Sequence, residues 1–149
     1  MSANPRIVVG VDGSPASEQA LRWAVGYAKA VGGTISAIAA WEYPAFYGWA
    51  GQGVPTVETL NPEELAGRTL AETVTRVVGS DPAVPITEGV MPGHAATALL
   101  EAAKGAALLV VGSRGLGGFS GVLLGSVSRH LTEHAPCPVV VVREGQAPA

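Results

Sequence analysis

The chain has 149 residues, 48% of them hydrophobic and 14% charged, with a formal net charge of −3. That length and apolar content fit one domain, residues 1–149, with a sizeable core, and they exclude a disordered or low-complexity chain. Lysine occurs only as Lys29 and Lys104, so the chain lacks the clustered cations with which a nucleic-acid binder displaces counterions from phosphate.

Residues 7–11 form the first of five short, continuously apolar, β-branched runs, the pattern of parallel strands covered on both faces. A helix is expected from Ser14-Pro15, an N-cap followed by proline at N1, with Leu21, Ala24, Val25 and Ala28 on one face and Gly32-Gly33 as its stop. The second strand is residues 34–40. A second helix opens at Asn61-Pro62-Glu63-Glu64, with a glutamate at N3, and ends near Gly79. Strand 86–91, a helix over about 93–104, strand 107–111, a helix from Gly125-Ser126 to just before Pro136, and strand 139–142 complete the chain. Strands alternating with helices imply right-handed crossovers and an open parallel sheet with helices on both faces. Ligands of such sheets lie beyond the carboxyl ends of the strands, where the strand order reverses.

Two segments follow strand ends in this way. After the first strand comes Gly10-Val11-Asp12-Gly13-Ser14; Asp12 there either helps to cap the first helix or meets a ligand hydroxyl, because an unpartnered carboxylate is costly at the end of a buried strand. After the fourth strand comes residues 112–128, with six glycines from Gly112 to Gly125 and a helix directly behind. Glycines permit the backbone conformations in which successive N–H groups converge on an anion, and the helix N-terminus adds further N–H groups and the positive end of its dipole. Ser126 and Ser128 can donate hydroxyls, and a phosphate could be held there without lysine. Arg114 could reach the phosphates or pair with a surface carboxylate. Neither the dinucleotide fingerprint GxGxxG after the first strand nor a Walker A sequence occurs, which disfavours a dinucleotide oxidoreductase and ordinary P-loop phosphoryl transfer.

The spacing Gly112-x2-Gly115-x9-Gly125-Ser126 resembles the ATP-binding motif of the universal stress protein family, in the branch that keeps the glycine motif. The resemblance extends to V-G-V-D-G-S at 9–14, to a G-x-P-like turn at Gly89-Val90-Met91-Pro92 and to the ending Pro136-Cys137-Pro138 with four valines. It implies a Rossmann-like, adenine nucleotide α-hydrolase-like sheet of order 3-2-1-4-5. It implies ATP as the ligand, with Asp12 near adenine and ribose and the backbone around Ala39 and Ala40 lining the base pocket. Gly10 belongs to the same rim, and Gly112, Ser113, Arg114, Gly115, Leu116, Gly117, Gly118, Gly125, Ser126, Val127 and Ser128 would bind ribose and phosphates. Mg2+ would enter only with the phosphates, since Asp12 is implied to lie by the nucleoside. The resemblance also implies a homodimer paired through Val139–Val142 and a role in the stress response.

The remaining candidates are less specific. Five of the eight aromatics, Trp41, Tyr43, Phe46, Tyr47 and Trp49, fall in a long Gly/Pro-containing segment reaching about Leu60, which suits a rim near the nucleotide, packing on the second helix or partner, or a mobile stretch. His94, His130 and His134 lack metal-ligand spacing with any carboxylate or cysteine; His130 and His134, i, i+4 on an expected helix, would suit zinc only with a third ligand and otherwise read as surface or cap chemistry at the helix C-terminus. Cys137, the sole cysteine, excludes an intrachain disulfide, fits a reducing compartment and reads as a packing residue. With no run of roughly 18 apolar residues and no signal-peptide pattern, the expectation is a soluble, cytoplasmic protein without membrane contact. No catalytic or metal-binding group is assigned, and slow ATP hydrolysis is the most that a preorganised phosphate site would supply. A nucleotide-hydrolysing enzyme on the same scaffold, a cyclic-nucleotide binder and a pure interaction module stand as alternatives.

Overall fold

The computed structural model describes residues 4–42, 61–79, 83–113 and 125–143. Five parallel strands, β1 (Arg6–Gly10), β2 (Thr34–Trp41), β3 (Ile86–Pro92), β4 (Leu108–Gly112) and β5 (Val139–Val142), lie in the order β3-β2-β1-β4-β5. Helices α1 (Pro15–Val31), α2 (Pro62–Val78), α3 (Ala95–Ala102) and α4 (Ser126–His134) occupy the crossovers. The order reverses between β1 and β4, which pair in register from Ile7 with Leu108 to Val9 with Val110.

The alternation of side chains along β1 explains why the sheet has two cores. Ile7, Val9 and Val11 pack with Leu21, Val25, Leu70 and Val74 under α1 and α2, whereas Val8 packs with Leu99, Leu109 and Leu131 under α3 and α4. Ile7, Val8, Val9, Leu109 and Val110 are fully buried; strands with no solvent face must be apolar at every position, which is the pattern seen in the sequence.

Local chemistry sets the helix ends. Ser14 Oγ accepts the N–H of Ser17 at 3.1 Å and Pro15 follows at N1, so α1 starts where the sequence signal lies, and Gly32 at φ 71° stops it. Asn61 Oδ1 accepts the N–H of Glu64 at 3.1 Å to open α2. In α3 the start falls later than the expected residue 93. Gly93 sits at φ 112°, outside the helical region, and His94 is the N-cap, with Nδ1 accepting the N–H of Ala96 at 3.3 Å. The G-x-P-like turn expected at 89–92 is instead strand: β3 pairs with β2 through Pro92 opposite Trp41. Proline is tolerated there because β3 is an edge strand.

One ion-pair network ties α1 to α2. Glu18 accepts hydrogen bonds from Arg22 on its own helix at 2.8 Å and from Arg76 at 2.9 Å. The bonds from Arg22 and then Arg76 hold its carboxyl below the ordinary value of 4.5, against a smaller opposing effect of burial. Stability from a carboxylate lowered in the fold is fully present above the unfolded value and is lost as pH falls through the folded one. Glu18→Gln should therefore be less stable than the parent at pH 7, by about 0.5–1 kcal/mol for a partly exposed pair, and the difference should close as pH falls below 4.5 in urea titrations.

A cation-poor cleft at the sheet switch point

The carboxyl ends of β1 and β4 lie side by side at the switch point, and each leads into a turn built by its own side chains. Beyond β1, the N–H of Val11 continues the ladder to the carbonyl of Ile38 at 2.9 Å, and then the chain leaves the sheet. Asp12 Oδ1 accepts the N–H of Ser14 at 2.9 Å, closing an Asx turn. Gly13 between them has φ 86°, a conformation that disfavours any side chain, and a Cβ there would come within 2.9 Å of Thr69 on α2. Ser17 completes the turn: its buried hydroxyl accepts the N–H of Asp12 at 3.3 Å and donates to the carbonyl of Ser14 at 3.0 Å. Asp12 thus supports the entry to α1 without being its N-cap, and its side chain stays on the exposed side of the turn.

Beyond β4, Ser113 is a knot of three hydrogen bonds. Its N–H donates to the carbonyl of Val142 on β5 at 2.8 Å, and its carbonyl accepts the N–H of Gly125 at 2.6 Å and the hydroxyl of Ser128 at 2.9 Å. The eleven residues 114–124 therefore leave and rejoin the described chain at one place. Gly125 is the N-cap of α4 and, unlike Ser14, Asn61 and His94 on the other helices, it has no side chain to cap the first-turn N–H groups. Ser126 is exposed at that terminus. Ser128 was expected to turn its hydroxyl toward a ligand; it is buried and donates instead to the carbonyls of Ser113 and Gly125, so it stitches the base of the glycine segment. Val127 packs its side chain on the α3–α4 core and leaves only its backbone to the cleft side.

Two of the glycines that frame the cleft are small because of packing. A Cβ on Gly10 would lie 2.8 Å from Leu99 Cδ1, and one on Gly112 would lie 2.7 Å from Ala16 Cβ and 2.8 Å from its carbonyl carbon. Ala39 is buried in the α1–α2 core, and Ala40 is half-buried beside it on β2; at Ala39 only the backbone is left for a ligand. Arg114, Gly115, Leu116, Gly117 and Gly118 lie outside the described residues, as do Tyr43, Phe46, Tyr47 and Trp49.

Both lysines are remote from this place. Lys29 is in the last turn of α1, roughly 20 Å along the helix from the cleft, and Lys104 follows α3 and pairs with Glu101 at 3.0 Å. Cys137, half-buried, has its thiol pushed up by burial, against a smaller opposing pull from Arg6, which suits a packing residue more than a nucleophile. What the sequence did not reveal was Ser17 and Ala16: Ser17 is legible only as a second serine three residues after the cap, and the need for a small residue at Ala16 appears only when β4 is laid against α1.

A parallel sheet of order 3-2-1-4-5 with helices in its crossovers is a Rossmann-like α/β architecture. The chain belongs to the universal stress protein family, whose sequence profile matches residues 4–143. A universal stress protein of Mycolicibacterium smegmatis is 40% identical over 138 residues, covering 92% of this chain and 45% of its own length. This chain thus spans about half the length of the curated relatives it matches. Among solved structures, the universal stress protein UspA from Lactobacillus plantarum shares the fold with a TM-score of 0.75 at 24% identity, over 95% of this chain and all of its own. A universal stress protein solved in complex with cAMP has a TM-score of 0.66 at 28% identity, over 97% of this chain and 100% of that one. Among the described residues no helix is long and apolar enough to cross a membrane.

The Gly112 contact yields a direct test. Because the obstructing atoms of Ala16 include backbone, no rotamer change relieves a methyl group there, and Gly112→Ala should cost about 1–3 kcal/mol. The denaturant midpoint of the variant should fall with an unchanged slope; an unchanged midpoint would show that β4 and α1 are not in this contact.

Proposed function

We propose that this chain is a cytoplasmic adenine-nucleotide-binding regulator of the stress response, with ATP held in the cleft between the ends of β1 and β4. The observation that carries the reading is the N-terminus of α4, whose N-cap Gly125 has no side chain to cap it and which is tied through Gly125 and Ser113 to the end of β4 at the switch point. An anion there meets backbone N–H groups and the positive end of a helix dipole, which needs no lysine. In this reading Asp12 and the backbone of Gly10, Ala39 and Ala40 take the adenine and ribose. Gly112, Ser113, Arg114, Gly115, Leu116, Gly117, Gly118 and the N–H groups of Ser126, Val127 and Ser128 take the ribose and phosphates, with Mg2+ as a companion of the phosphates.

The residues fit that assignment in kind: the carboxylate of Asp12 is a hydroxyl or amine acceptor at the rim, and the helix terminus is an anion acceptor beside it. Binding, with hydrolysis slow at most, follows from a cleft of backbone donors. A cyclic nucleotide is the second reading, favoured by the cAMP complex of a 28% identical protein, since one phosphate suffices to occupy a helix N-terminus. Pairing of two copies through the edge strand β5, where Val139, Val140 and Val141 are half-buried, would give the homodimer and cover an open strand edge.

Calorimetry tests the site. ATP should bind the parent, and Gly115→Val and Asp12→Ala should each weaken binding at least tenfold, about 1.4 kcal/mol. Asp12→Asn, which retains the acceptor for the Ser14 N–H, separates loss of the turn from loss of the ligand contact. Equal affinity in the parent, Gly115→Val and Asp12→Ala would refute the assignment, and displacement of ATP only by a large excess of cAMP would decide against the cyclic reading.

A further inference from the structure

The far end of α4 carries a second pair of chemically active groups that the nucleotide reading does not use. His130 and His134 stand one turn apart on the exposed side of the helix, with ring centroids 4.4 Å apart and planes inclined by 38°. Side chains at i and i+4 share one helix face. Two imidazoles that bind one ion at metal–nitrogen distances of about 2.0–2.1 Å place their ring centres roughly 5 Å apart, close to the spacing seen here. His134 is 54% exposed, and its Nε2 lies 3.9 Å from the Glu133 carboxylate, which adds negative charge beside the ring. The C-terminal end of the helix dipole points the same way, favouring a cation in the last turn.

Other charged groups on α4 sit around the pair: Arg129 precedes His130 and opposes a cation, while Glu133 favours one. Among the described residues no group of three or more His, Cys, Asp or Glu is placed to hold a metal, so they offer two imidazole donors and no closed tetrahedral set. We infer that His130 and His134 form a two-point chelating site for a divalent transition ion of the Zn2+ and Cu2+ class, with its remaining positions open to water. Imidazole selects such ions over Mg2+ and Ca2+, which prefer oxygen donors. An ion bridging i and i+4 also crosslinks the last turn of a nine-residue helix whose first turn is the proposed phosphate cradle, so it would stiffen α4 as a unit. The inference does not depend on the nucleotide assignment.

The test is calorimetric titration of the full, untagged chain with ZnCl2 at pH 7.5, together with electron paramagnetic resonance of the Cu2+-loaded protein. The expected result is one ion per chain, loss of at least tenfold in affinity in both His130→Gln and His134→Gln, and a Cu2+ spectrum with splitting from two nitrogens that falls to one in either variant. Both side chains are exposed, so the variants should keep the parent's circular dichroism, and Glu133→Gln should weaken binding far less than either histidine change. Failure of Zn2+ to bind below 1 mM, or affinity unchanged in His134→Gln, would overturn the inference.

Discussion

The approach of β4 to the first turn of α1 governs the geometry of this protein. Gly112 ends β4 against the backbone and methyl group of Ala16, at distances that leave no room for a side chain on the strand. Because α1 starts immediately after the Asp12 turn, this contact draws the ends of β1 and β4 together at the point where the strand order reverses. A larger residue at either position would force the helix away from the strand and open the cleft. The two smallest residues available thus stand where the fold needs backbone-to-backbone approach.

The same region solves an electrostatic problem. A chain with only two lysines, both at the far ends of their helices or beyond, cannot surround a phosphate with ammonium groups. Ser113 supplies the alternative by anchoring β5 through its N–H and the start of α4 through its carbonyl, so the dipole of α4 is held fixed beside the strand end. Ser128, buried and bonded to the same carbonyl, makes that anchorage stiffer. In the proposed reading, preorganised backbone donors cost no side-chain entropy when a phosphate arrives.

Much of this was legible in the sequence because buried parallel strands and capped helices have strong local signals. The five apolar runs and the Ser14-Pro15 and Asn61-Pro62 starts each correspond to structure within a residue or two, and the family is legible in the spacing of Gly112, Gly115 and Gly125. What local pattern could not disclose depends on contacts between distant segments. That Gly112 must also be small for packing shows only when Ala16 is seen beneath it, and Ser128 reads as a ligand hydroxyl until Ser113 is seen to accept from it. The resemblance implies a turn over Gly89 to Pro92, yet pairing with β2 carries the strand expected over 86–91 on through Pro92. His94 was invisible as a cap because histidine is an uncommon one, and only the φ of Gly93 makes the position a helix boundary.

Whether the cleft is the nucleotide site is answered most directly by backbone amide NMR of the 15.0 kDa chain titrated with ATP. The account predicts that the amides of Gly13, Ser113, Gly125, Ser126 and Val127 shift together and saturate with one affinity, while those at the opposite, amino-terminal ends of the strands, such as Thr34 and Leu108, stay in place. An unresponsive set of cleft amides at millimolar ATP, or shifts confined to another surface, would contradict it.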